Sequence, residues 1–169
     1  MDQSVIDFAV YEDSKEFVGI ASASLPDMNF ITQSIAGAGI GGNIEAVIAG
    51  HVDAMTLTLN FTTINEDTIR LSEPRIHQID LRVAQQYEDN VASELRVKGY
   101  KHVFKVIPKS DKAGSVAPAS QASGSGEYAV RYWATFLDGQ KVREIDPLNN
   151  ICYINGTDYN EPIRKALGK

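Results

Sequence analysis

The chain has 169 residues, of which 43% are hydrophobic and 22% charged, ordinary globular usage in a length that buries a core without staples. Sixteen basic residues against 22 acidic ones leave a net charge of −6, which argues against a nucleic-acid clamp, since that needs a cationic surface. The one cysteine, Cys152, excludes an internal disulfide framework and a multi-cysteine zinc module.

Period two dominates the chain and predicts half-buried strands. Ile6, Phe8 and Val10 alternate with Asp7 and Ala9, a polar turn follows at Glu12–Glu16, and Phe17–Ile20 resumes a strand, giving an opening hairpin. Residues 29–52 read as a flexible loop region, glycine-rich from Ala36 to Gly42. The apolar-looking stretch from Ile35 to Met55 contains Asn43, Glu45, His51 and Asp53, so it is no membrane span. Met55, Leu57, Leu59 and Phe61 then alternate with Thr56, Thr58, Asn60 and Thr62, the cleanest strand in the chain. Asn65 is placed to cap a short helix reaching Leu71. Strands follow around Ile79–Val83, Val103–Ile107 and Tyr128–Leu137. Between the last two, the segment 109–126 is rich in Ser, Ala and Gly and predicts a long mobile loop. Asp138-Gly139 and Asn155-Gly156 are two-residue turn signals flanking strands at about Lys141–Ile145 and Ile151–Ile154. Asn160, Pro162 and Gly168 bound a terminal helix. The expectation is one domain over residues 1–169. With no basic, apolar leader at the N-terminus, the chain is expected to be cytoplasmic when made.

Candidate chemistry is sparse. Gly37, Gly39 and Gly42 satisfy G-x-G-x-x-G, but no helix or further βα unit follows, as a dinucleotide site requires. Such a run allows close backbone approach instead. Lys98, Lys101, Lys105, Lys109 and Lys112 interleave with Tyr100 and Phe104; edge lysines that block wrong pairing, or a patch facing an acidic protein, fit better than nucleic acid. His51, His77 and His102 have no metal-ligand spacing, and no nucleophile–base set appears. The residues therefore predict no catalytic, cofactor or metal site in an acidic, mainly-β protein.

The C-terminal third carries a more specific pattern. Tyr132-Trp133-Ala134-Thr135-Phe136-Leu137-Asp138-Gly139 leads into Glu144-Ile145-Asp146-Pro147-Leu148-Asn149, then Gly156-Thr157-Asp158, and ends Arg164-Lys165-Ala166-Leu167-Gly168. These elements, in this order, closely resemble the major tail tube proteins of contractile-tailed bacteriophages, a family related to R-type bacteriocin tubes. Leu25-Pro26, the glycine-rich loop and the strand from Met55 to Phe61 are compatible with it; the N-terminus lacks the family's Ile-Pro start, and the 109–126 loop is longer than usual.

The resemblance implies a β-sandwich or half-barrel with a short flanking helix, whose subunits join into a continuous β-barrel ring. It implies hexameric rings stacked as the inner tube of a contractile tail, with no enzymatic activity and no cofactor. The implied partners are further copies of the chain, the contractile sheath, and the baseplate, tape-measure and tail-terminator proteins. DNA passes through in a phage, and there is no membrane anchoring. The implied location is the virion tail, assembled in the host cytoplasm. Gly37, Gly39, Gly41 and Gly42 are then expected at self-assembly contacts. A tube subunit of an R-type bacteriocin or a type VI-like secretion system is the near alternative. A small-ligand-binding β-barrel is the alternative from another class, and it needs about eight strands closing within one chain.

Overall fold

The structure is a computed structural model that describes residues 2–169. The strands are β1 (Asp2–Glu12), β2 (Lys15–Phe17), β3 (Ile20–Ser24), β4 (Phe30–Ile35), β5 (Ile44–Val52) and β6 (Met55–Phe61), followed after a helix by β7 (His77–Asp89), β8 (Glu94–Lys112), β9 (Ser125–Leu137), β10 (Gln140–Asp146), β11 (Ile151–Ile154) and β12 (Thr157–Asp158). The helices are α1 (Glu66–Arg70) and α2 (Glu161–Ala166). Among the described residues, ten strands join in one antiparallel sheet along the path β12-β11-β10-β9-β8-β7-β1-β2, with β6 on β9 and β3 on β6. Strands β4 and β5 form a separate hairpin.

Strand β9 divides the sheet. Its first half, Ser125–Val130, pairs with β6, and its second half, Trp133–Leu137, pairs with β10. Opposite this division the β8 register shifts between Lys105 and Val106. An extra residue bends a strand and increases its twist, and this one falls where β9 changes partner from β6 to β10. Alternation then decides what is buried. Met55, Leu57, Leu59 and Phe61 of β6 join Val10, Ile79, Leu81, Phe104, Val106 and Trp133 in one cluster, while Thr56, Thr58 and Asn60 face the other way, half-buried. Asn60 donates from Nδ2 to Ser22 Oγ at 2.8 Å, and Lys109 Nζ donates to Thr56 Oγ1 at 2.9 Å, so that face is polar and cross-linked.

Both dipeptide turns form with the positive φ that a two-residue hairpin requires: Asp138 at 48° and Gly139 at 78°, Asn155 at 48° and Gly156 at 88°. Asn65 caps α1, accepting from Thr68 N while Thr68 Oγ1 accepts from Asn65 N, a reciprocal box.

Three expectations are corrected. Residues 29–52 are not a loop: β4 and β5 pair there, leaving Asn29 and the 36–43 tip outside the strands and a bulge at 48–51. The loop at 109–126 shrinks to 113–124, because β8 runs through Pro108 to Lys112 and pairs with the start of β9. That loop is pinned at its base, where Phe61 N donates to Gly124 O and Ala122 N to Thr62 O. Finally, β8 is no edge strand, for it lies between β7 and β9.

Candidate self-assembly surfaces

The hairpin β4–β5 is the most apolar exposed element. Ile31, Ile35, Ile44, Val47 and Ile48 are all at least 37% exposed, and Glu45 is the only acid between Phe30 and Val52. Phe30 and Val52, paired at its base, pack against the core cluster, and Asp53 N donates to Asn29 O. A two-stranded hairpin is marginal alone in water, and this one shows apolar groups on both faces.

Gly37, Gly39, Gly41 and Gly42 lie together in the tip of that hairpin. None has an atom within 4 Å of where a Cβ would stand, and only Gly39 has positive φ, 88°. The tip is therefore open, and one backbone position in it favours glycine. No helix follows the glycines, so the dinucleotide geometry is absent.

The sheet offers unpaired edges. Strand β2 covers only Val10–Glu12 of β1, which leaves the outer edge of Asp2–Ala9 open, and β3 pairs on one side only. Open edges are templates for a further strand.

Four of the five lysines of the run are engaged within the chain, Lys109 through Thr56. Lys98 pairs with Asp2 at 2.6 Å, Lys101 lies over the Phe136 ring and Lys105 over Tyr132. Arg82 over Tyr11 and Lys141 over Tyr153 continue the pattern on neighbouring strands. The cations lie flat on rings, where charge and apolar stem are both used. Beside Arg82 and Lys101, an open groove of about 640 Å3 runs over Ala9, Ala84 and Gly99.

The titratable groups are structural. Buried Glu12 meets Arg75 at 3.2 Å, Arg70 at 3.4 Å and His77 Nδ1 at 2.5 Å. His77 Nε2 lies 2.9 Å from Glu73 O, a pure acceptor, so that nitrogen carries a proton. The cluster ties α1 and the following turn to β1 and β7. Burial, assisted by Arg143, lowers the His102 pKa to about 4, and its Nδ1 accepts from Trp133 Nε1 at 3.2 Å. Burial raises the Cys152 thiol, which is 1% exposed. Among the described residues, no three His, Cys, Asp or Glu side chains are grouped to hold a metal. Nor, among the described residues, is any helix long and apolar enough to cross a membrane.

The C-terminal pattern is scaffold. Glu144 accepts from Tyr132 Oη and Lys141 Nζ, both at 2.9 Å. Asp146 accepts from Asn149 N and Nδ2 and so holds the turn into β11. Asp158 Oδ2 accepts from Arg164 at 2.6 Å, and Arg164 also donates to Asn150 O. Asn160, expected to cap α2, makes no side-chain cap bond, because its amide is drawn instead to Gly50 and Asn150.

Among solved structures, the chain is similar to a chain of the structure of an extracellular contractile injection system, the PVC sheath/tube terminator in extended state. The TM-score is 0.53 at 16% identity, covering 79% of this chain and 96% of that one. A chain of the PVC sheath-tube complex gives 0.49 at 16% identity over 77% and 88%. A chain of the anti-feeding prophage baseplate gives 0.47 at 10% over 80% and 97%. No curated protein matches the sequence. The family model of phage tail tube protein FII matches residues 2–168. A sheet-dominated chain with scaffolding C-terminal turns, matched by that model over nearly its whole length, thus belongs to the phage tail tube protein FII family, and its role is that of a structural, non-enzymatic tail-tube protein.

Proposed function

We propose that the chain forms hexameric rings that stack into the hollow inner tube of a contractile injection apparatus. The observation that carries this reading is the hairpin β4–β5, whose five large apolar side chains stand 37–59% exposed. Contiguous exposed apolar surface marks a contact site. The same chain supplies hairpin, open groove and free edges, so copies join by unlike surfaces, the arrangement that closes into rings or extends as filaments. Within a ring, the open edges of β1 and β3 join neighbouring sheets into one barrel. Between rings, the tip with Gly37, Gly39, Gly41 and Gly42 meets the next ring, where small residues let backbones approach closely.

The polar face of Thr56, Thr58 and Asn60 suits a wet channel. Six copies carry six times −6, or −36 charges, and acidic walls keep phosphates from adhering. The sheath, baseplate, tape-measure and tail-terminator proteins are the outer and end partners, and DNA is the cargo where the particle is a phage. The tube works in the virion tail after assembly in the host cytoplasm. Sedimentation tests the ring. A species near 111 kDa, six times 18.5 kDa, together with larger stacks, supports it. A monomer at every concentration refutes it.

A further inference from the structure

The C-terminal turns and α2 hold a single side chain, Asn160, against a strand more than a hundred positions earlier. Asn160 is 2% exposed. Its Nδ2 donates to Gly50 O and to Asn150 Oδ1, both at 3.0 Å. A carbonyl only accepts, which fixes the amide with its nitrogen toward Gly50. Asn160 N donates to Asp158 Oδ1, and Asp158 is held in turn by Arg164, whose other amino group reaches Asn150 O. Two hydrogen bonds from Nδ2 thus orient the side chain and a third holds its backbone, while Oδ1, buried beside Gly50, has no hydrogen-bond partner among the described residues.

Its target is the bend of the hairpin. Strands β4 and β5 pair at Phe30–Val52 and again from Thr32–Val47 outward, so Ile31 lies opposite the four residues 48–51. Gly50 sits in that bulge at φ 74°. A Cβ there would overlap Asn160 Oδ1, so position 50 requires glycine both for its backbone angle and for its neighbour. On one side of the bulge the base is anchored to the core; on the other, the distal arm stands exposed. A bulge re-aims the strand that carries it, and this one is gripped where it turns.

We infer that Asn160 is an angle lock: through Gly50 it fixes the direction in which the distal hairpin projects, and so the geometry in which one copy meets the next. The inference rests on the hairpin's proposed part in assembly. It gives the C-terminal segment of this chain, Asp158 through Arg164, a task beyond closing the fold, because a free hairpin would lose orientational freedom at every contact it made.

The test uses paired spin labels on Glu45→Cys, in the distal arm, and Gln140→Cys, on the body; buried Cys152 takes no label. The unassembled parent gives one narrow distance distribution. Asn160→Ala and Gly50→Ala each break the contact from opposite sides, and each broadens the distribution at least twofold and lowers tube yield at least tenfold. An unchanged distribution in either folded variant overturns the lock. A broadened distribution with normal tubes upholds the lock and overturns the hairpin's part in assembly. If Asn160→Ala does not fold, Gly50→Ala decides; loss of the body's fold in both overturns the lock, which acts on the hairpin alone.

Discussion

Mild acid is expected to destabilise the subunit through one side chain, His102. Trp133 Nε1 only donates, so His102 Nδ1 must accept, and the ring is neutral with its proton on Nε2, which has no hydrogen-bond partner among the described residues. Burial first, and the charge of Arg143 second, lower the folded pKa from 6.5 to about 4. In that window the unfolded chain takes up a proton that the native chain refuses, so stability is complete above pH 6.5 and falls as the pH falls. Each pKa unit is about 1.4 kcal/mol. The loss is about 2 kcal/mol by pH 5 and about 3 kcal/mol by pH 4. Urea unfolding of parent and His102→Gln at pH 7 and pH 5 measures it. The glutamine keeps an acceptor for Trp133 but does not titrate, and the other groups titrate alike in both proteins. The parent should lose about 2 kcal/mol more than the variant between the two pH values. Parallel losses would refute the neutral, buried assignment.

Gly39→Val places a branched side chain at φ 88° and costs about 1–3 kcal/mol where that conformation is kept; a folded subunit that polymerises poorly is expected, and tubes of normal length count against the tip as a stacking contact. Gly41→Val, at a position without positive φ, should leave the melting temperature unchanged. Glu12→Ala strips the buried carboxylate from Arg70, Arg75 and His77 and should cost about 3–5 kcal/mol in chemical denaturation; a loss under 1 kcal/mol would mean that the cluster is relaxed in solution. Cys152 should react with a thiol reagent only as fast as the subunit unfolds, in contrast to a surface cysteine placed at Gln140.

How much could be read in advance depended on whether local chemistry or distant packing decided the outcome. The strand Met55–Phe61 was legible because one face is fully buried, so alternation is strict. The turns at Asp138-Gly139 and Asn155-Gly156, and the Asn65 cap, were legible because each is decided within four residues. The hairpin β4–β5 was not, because both its faces are exposed and no period separates inside from outside. Its glycines drew the eye to the tip, while the glycine under the tightest constraint, Gly50, depends on Asn160, 110 residues away. The lysines of β8 were misread as an edge because pairing on both sides is set by β7 and β9, which the local pattern does not contain. Asn160 has the right neighbours for a helix cap, but Gly50 O and Asn150 Oδ1 hold its Nδ2, and its Oδ1, which a cap would use as acceptor, is left away from the helix N–H groups.

The central claim is assembly, and electron microscopy of the concentrated protein tests it most directly. From six domains of about 18 kDa at ordinary compactness, rings and stacked tubes about 80–100 Å across with an open, stain-filled channel are expected. Uniform particles of single-subunit size at every concentration, with no rings and no channel, would contradict it.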